Sequence, residues 1–126
     1  MLDSFAQYGD TGLFILRLAI AIIFIYHSFP KLKNAKGMSA MVGMPAGMIM
    51  ILGIIELLSG LGLLLGIYMG LSALLLSIVM IGAIGMKTMK WNTPFSAMDK
   101  MGWEFDLILL AGSLAILLGG GGSIGL

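Results

Sequence analysis

This chain predicts an all-α fold, a transmembrane antiparallel four-helix bundle, on three observations. The sequence is 60% hydrophobic and 10% charged over 126 residues, with a mean hydropathy of +1.09. A soluble domain of that size cannot hide so much apolar surface, so lipid must be its solvent. Second, the apolar residues fall into four runs, and a span needs roughly 20 of them to cross a hydrocarbon core about 30 Å thick. That fills one domain, residues 1–126, and leaves no extramembrane part to carry independent chemistry. Third, all six lysines lie in the two long connections or at their edges, three to each.

The first span runs from about Thr11 to Phe29, with Asp10 and Thr11 suited to cap its start. Pro30 is expected to end it, because the ring cannot donate to the helix ladder and disfavours helical geometry in the residue before it. Lys31 and Lys33 then mark the headgroup level. The first loop continues through Lys36 and the Met-rich MSAMVGMPAGM, which is long enough for a short interfacial helix. Pro45 fits the start of the second span, about Met48 to Gly66. The third, about Ile67 to Lys87, follows with almost no loop, so the two form a tight antiparallel hairpin. After a loop from Thr88 to Gly102, the fourth span covers about Trp103 to Leu118 and is the shortest.

Orientation follows from the lysines. The positive-inside rule puts both loops in the cytoplasm and both termini outside a plasma membrane, with Tyr26, Tyr68, Trp91 and Trp103 as interfacial anchors. The tail GGGGSIGL reads as the natural ending after the last helix rather than as an added linker.

Composition also excludes chemistry. The chain has no cysteine, which removes disulfides, thiolate catalysis and Cys-ligated zinc or iron–sulfur clusters. A single histidine is too few for a bis-histidine haem or a histidine-cluster metal site. The N-terminus MLDSFAQYGDTG is acidic and lacks the basic region of a signal peptide.

An ionisable residue inside a span costs about 2.5–3.5 kcal/mol on insertion scales and is a functional-site candidate by default. Arg17 and Glu56 qualify. Arg17 lies about 12 residues from the cytoplasmic end of its span and Glu56 about 8, a mismatch of roughly 6 Å that an arginine side chain bridges. A buried Arg17–Glu56 ion pair is therefore expected. Gly53, Glu56, Gly60 and Leu63 share a helical stripe, with Ser59 beside it, and small residues let a neighbouring backbone or a flat ligand approach. Ala73, Ser77, Met80, Ile84 and Lys87 form a stripe on the third span, and Glu104, Ile108, Ala111 and Ala115 on the fourth. Turned inward, these faces place His27, Glu56, Lys87 and Glu104 around a pocket at the cytoplasmic end. There an imidazole and a carboxylate can hold a polar headgroup and exchange protons with it. The plainer reading makes Lys87 and Glu104 snorkelling interfacial charges and His27 a hydrogen-bonded helix-end residue.

At these residues the chain resembles the DoxX family of small four-span membrane proteins. The matching stretches are RLAIAIIFIYHSFPKL, GMPAGMIMILGIIELLSGLGLLLGIY and WEFDLILLAGSLAILLGGGGSIGL. The signature is a histidine with a lysine close behind, a mid-span glutamate before a Gly-rich run, and a glutamate opening the last span. Arg17, His27, Glu56 and Glu104 sit at matching positions. Ser28 replaces the glycine usual after the histidine, which implies looser packing there. The ending SIGL fits the family's Ser-containing ending. The resemblance implies respiratory or sulfur redox metabolism, since relatives accompany quinol oxidase and thiosulfate:quinone oxidoreductase complexes, oxidative-stress complexes, or membrane-protein assembly.

The expectation is thus a membrane-embedded, non-autonomous subunit of a quinone-linked redox complex. Its ligand would be a quinone, with no covalent cofactor, and a redox partner protein would dock at the cytoplasmic loops. Homo-oligomers are compatible with the sequence, and nothing in it points to nucleic acid. The alternative is a non-catalytic scaffold or assembly factor. A carrier or channel is disfavoured, because four short spans show no inverted repeat.

Overall fold

The computed structural model describes residues 2–122 and is built of helices, with no strand among the described residues. Pro30 does not end the first helix. A 3-10 segment, Leu2–Tyr8, leads into α1, Gly9–Lys33, and Pro30 sits inside its last turns. Proline removes the donor to the carbonyl four residues back, yet the turn still closes through Asn34 N–H donating to the Pro30 carbonyl at 2.8 Å. The start differs as well. Asp10 and Thr11 lie within α1 rather than capping it, and Asp10 occupies the first turn, where a negative charge faces the positive end of the helix dipole.

The first loop does contain a short helix, α2, Ala35–Val42, closed by Gly43 at φ 75°. Pro45 then precedes α3, Ala46–Leu65. A tight turn leads to α4, Met69–Gly85, which continues as a π turn, Met86–Lys90. Gly66 (φ 77°) and Tyr68 (φ 50°) take left-handed backbone to make that turn. A Cβ added at Gly62 would lie 2.5 Å from Ser72 Oγ and 2.9 Å from the Ile67 carbonyl, so α3 and α4 touch almost backbone to backbone here. The last helix, α5, is Trp103–Gly119.

Neighbours in the bundle are α1 with α3, α3 with α4, α4 with α5, and α5 with α1. Ala21, Phe24, Leu63, Leu76 and Ile116 fill the centre, with Ser28, Ser59, Ser77 and Ser113 also buried. The outer faces carry exposed Ile22, Ile54, Leu58 and Ile78. Three helices, Ser4–Lys33, Ala46–Leu65 and Met69–Lys90, are long and apolar enough to cross a membrane. α5, at 17 residues, is shorter.

The expected stripes on α3 and α4 face inward. The one on α5 does not: Glu104, Ile108, Ala111 and Ala115 are exposed, and the buried face is Asp106, Leu109, Gly112, Ser113 and Ile116. Ser28 loosens nothing either. It is fully buried, and its hydroxyl donates to the Ile25 carbonyl at 2.6 Å.

The α1–α3 register settles Arg17. Cβ atoms added at Gly53 and Gly60 would meet Lys31 Cβ at 2.9 Å and Ile25 Cγ1 at 2.8 Å. Glu56, between those glycines, is therefore level with residues 27 and 28. Arg17 lies about eleven residues away, or roughly 16 Å of helix rise. The expected Arg17–Glu56 pair does not form. Arg17 instead donates through Nη1 to the Gly121 carbonyl and to Met69 Sδ, both at 3.1 Å, with its guanidinium 4.8 Å from the centre of the Phe14 ring. The glycine run folds back over it. A Cβ at Gly121 would lie 2.6 Å from Met69 Sδ and 2.8 Å from Arg17 Cδ. Ser123 and the residues after it lie outside the described residues.

Candidate functional site

Helical spacing puts Phe24, His27 and Lys31 on one face of α1, aimed at the gap between α3, α4 and α5. Glu56 comes from the middle of α3, Lys87 from the π turn after α4, and Asp106 from the first turn of α5. They line a cavity of about 670 Å³ at the loop end of the bundle, within the size range of small-molecule sites.

Two ion pairs organise its polar end. Lys31 Nζ is 3.0 Å from Glu56 Oε2 and 3.3 Å from Oε1, and it also reaches the His27 carbonyl at 3.4 Å. Lys87 Nζ is 2.6 Å from Asp106 Oδ2 and 3.4 Å from the Met101 carbonyl. The two carboxylate side chains are 2% and 6% exposed and the two lysines 21% and 18%. Each carboxylate is thus held inside the bundle while its cation keeps an edge toward the cavity. Burial makes these pairs one-sided: removing a lysine would strand a charge that the surroundings cannot solvate.

His27 stands between the pairs. Its ring packs against Phe105 at 5.4 Å and Tyr26 at 5.6 Å between centroids. Among the described residues, neither imidazole nitrogen has a hydrogen-bond partner. A half-buried imidazole facing a cavity without a partner is free to donate to, or accept from, whatever the cavity holds.

The remaining wall is apolar and adaptable. Six of the chain's twelve methionines line it: Met38, Met44, Met48, Met80, Met86 and Met101. Flexible thioether side chains conform to irregular apolar ligands. On the loop side the two connections close over the cavity. Trp91 Nε1 donates to the Val42 carbonyl at 3.1 Å, and Lys90 Nζ to the Gly43 carbonyl at 3.2 Å.

Of the four residues expected here, His27, Glu56 and Lys87 meet in the cavity. Glu104 does not. It is exposed at the first turn of α5, and the acid facing the cavity is Asp106, two residues on. Phe24 and Trp91 line the wall, whereas Trp103 packs edge-on against Phe95 at 4.6 Å. Lys31, expected at the headgroup level as the lysine close behind His27, joins the cavity as well, since the i, i+4 spacing puts the two on one face. Asp106 shares the buried face of α5 with Gly102, Leu109, Gly112, Ser113 and Ile116, but small residues on the opposite face as well leave the sequence no ground to choose it over Glu104. Among the described residues no group of three or more His, Asp or Glu side chains is placed to hold a metal ion.

A protein of Bacillus subtilis (strain 168) that bears the name "Putative oxidoreductase CatD" is 30% identical to this chain over 114 residues, covering 88% of this chain and 81% of that protein. No solved structure matches the chain significantly. The DoxX family model matches residues 12–91, a segment that holds His27, Lys31, Glu56 and Lys87. With well over half its length matched, and with helices built to lie in a bilayer, this chain is a membrane protein that belongs to the DoxX family.

Proposed function

We propose that this protein is a non-autonomous, membrane-embedded subunit of a quinone-linked redox complex, and that the cavity holds the quinone headgroup. The observation that carries the reading is the unpartnered His27 imidazole facing an apolar cavity between two lysine–carboxylate pairs. A quinone fits that chemistry, since its carbonyl oxygens need donors and its ring needs apolar walls. His27, Lys31 and Lys87 would donate to the oxygens. Glu56 and Asp106 would hold the lysines in place, and Phe24, Phe105 and the methionines would enclose the ring. A bound quinone supplies two-electron redox chemistry, and the chain's own part is to bind, orient and exchange protons at His27. Electrons would come from a partner docked at the lysine-bearing loops. Those loops would lie in the cytoplasm and the termini outside a plasma membrane, in line with the lysines gathered at one end. The relative named as an oxidoreductase agrees with a redox role.

A scaffold reading has one observation in its favour. Met41, Met89 and Met98 stand exposed on the loop side near Lys36 and Lys100, and methionine is enriched at protein interfaces. One experiment separates the two. Protein gently purified from its own membranes is solvent-extracted and its quinone counted by mass spectrometry, for the wild type and Glu56→Ala. Stoichiometric quinone in the wild type, lost in the folded variant, is the expected result. Empty extracts from both folded proteins would refute the quinone site and favour the scaffold.

A further inference from the structure

Helices α3 and α4 form a V. They meet at the turn, where a Cβ on Gly62 would collide with Ser72 and the Ile67 carbonyl, and toward the loop end the cavity lies against both of them. At Gly82, three turns along α4 from Ser72, an added Cβ would meet nothing within 4 Å. Gly82 nonetheless lines the cavity, together with Leu52 and Ile55 of α3 and Ile78 of α4. Ile78 is 57% exposed on the outer face, so this wall is also the surface that meets lipid. A second, shallower groove of about 360 Å³ shares Leu75 with the cavity and follows the same seam past Leu71 to Tyr68. The loop side is closed by Trp91 on Val42 and by Lys90 on Gly43.

We infer that the mouth of the V at Gly82 is a lateral portal, through which the apolar chain of a long-tailed quinone leaves the cavity and lies in the α3–α4 seam. The inference rests on the reading of the cavity as a quinone site and adds the ligand's class and its route. Polarity sets the direction. The ion pairs and His27 gather near the loop end, whereas Gly82 lies five residues deeper than Lys87, about 7 Å of rise toward the bilayer centre. A headgroup held by the lysines therefore points its chain at the portal. From Gly82 to Tyr68 the seam offers about 20 Å of apolar groove. Gly82 is the residue that admits the chain, because any larger side chain there would project into the mouth.

The test uses full-length protein in lipid nanodiscs, with wild type, Gly82→Leu and the control Gly70→Leu. Gly70 lies on the same helix, and a Cβ there also meets nothing within 4 Å, so neither substitution creates a clash. The probes are a benzoquinone with a ten-carbon chain, the same ring without a chain, and a ten-carbon alkyl phosphate, all followed by equilibrium binding. The expected result is at least tenfold weaker binding of the chain-bearing quinone to Gly82→Leu. Binding of the bare ring should change less than twofold, and Gly70→Leu should match the wild type for both. Equal affinity of wild type and Gly82→Leu for the chain-bearing quinone would overturn the portal and leave the quinone site standing. Equal loss of both quinones would also overturn it, since the leucine would then be filling the headgroup site. Binding of the alkyl phosphate but of neither quinone, with loss in Gly82→Leu, would keep the portal and overturn the quinone reading. Binding of no probe would overturn both.

Discussion

Replacing Lys31 with methionine removes the cation facing Glu56 and keeps an apolar stem of similar length against α3. Glu56 is left as a carboxylate 2% exposed, with no second cation paired to it among the described residues. Stranding a buried charge in this way costs roughly 3–5 kcal/mol. Lys31 itself is 21% exposed, so water already reaches its edge of the site and the lower end, about 3 kcal/mol, is expected. Glu56→Gln should cost less, about 1 kcal/mol, because the freed lysine can extend along its stem to the interface. The double variant then removes both charges, and its loss should fall short of the sum by about 2 kcal/mol. Unfolding in mixed micelles by sodium dodecyl sulfate titration, followed by circular dichroism, measures all four corners of the cycle. A parallel cycle pairs Arg17→Met with Glu56→Gln and should be additive within about 0.5 kcal/mol, given the separation of the two residues. Additivity in the Lys31 cycle, or coupling in the Arg17 cycle, would refute the packing register and the pairing deduced from it.

Two further outcomes follow from the same geometry. Asp106→Asn should weaken quinone retention about tenfold, a loss of about 1.4 kcal/mol from releasing Lys87, while Glu104→Gln leaves it unchanged in the same extraction assay. Gly121→Val should lower stability by about 1–3 kcal/mol in the micelle titration, because its side chain must displace both Met69 Sδ and the Arg17 stem; a neutral effect would show that the glycine run does not pack on Arg17.

The span pattern was legible because lipid imposes it locally. Twenty apolar residues read as a span wherever they sit, and Trp103, Pro45 and the turn after Gly66 fell where the helices begin and end. The inner faces of α3 and α4 were legible for a similar reason: Gly53, Ser59, Gly60, Ala73 and Ser77 mark close packing against a background of leucine and isoleucine. α5 misled because it carries small residues on two faces, and Ala111 and Ala115 on the lipid side look no different from Gly112 and Ser113 inside. Pro30 misled because a proline in the last turns of a helix gives up only one hydrogen bond, a loss the continuing chain tolerates.

By itself, the sequence determined that this is a helical membrane protein with the small-residue faces of α3 and α4 turned inward and lysines gathered at one end. Composition and periodicity decide those properties residue by residue. Only the tertiary structure decided the partners. Arg17 and Glu56 both need compensation, and nothing local says from where. The depth at which α1 passes α3, set by Gly53 and Gly60, hands Glu56 to Lys31 and leaves Arg17 to a carbonyl of the glycine run. The same packing turns Asp106 rather than Glu104 toward His27, because a carboxylate two residues along a helix points about 200° away. Charges so close in sequence differ in placement through helix rotation and register, which are properties of contacts between elements and not of any one of them.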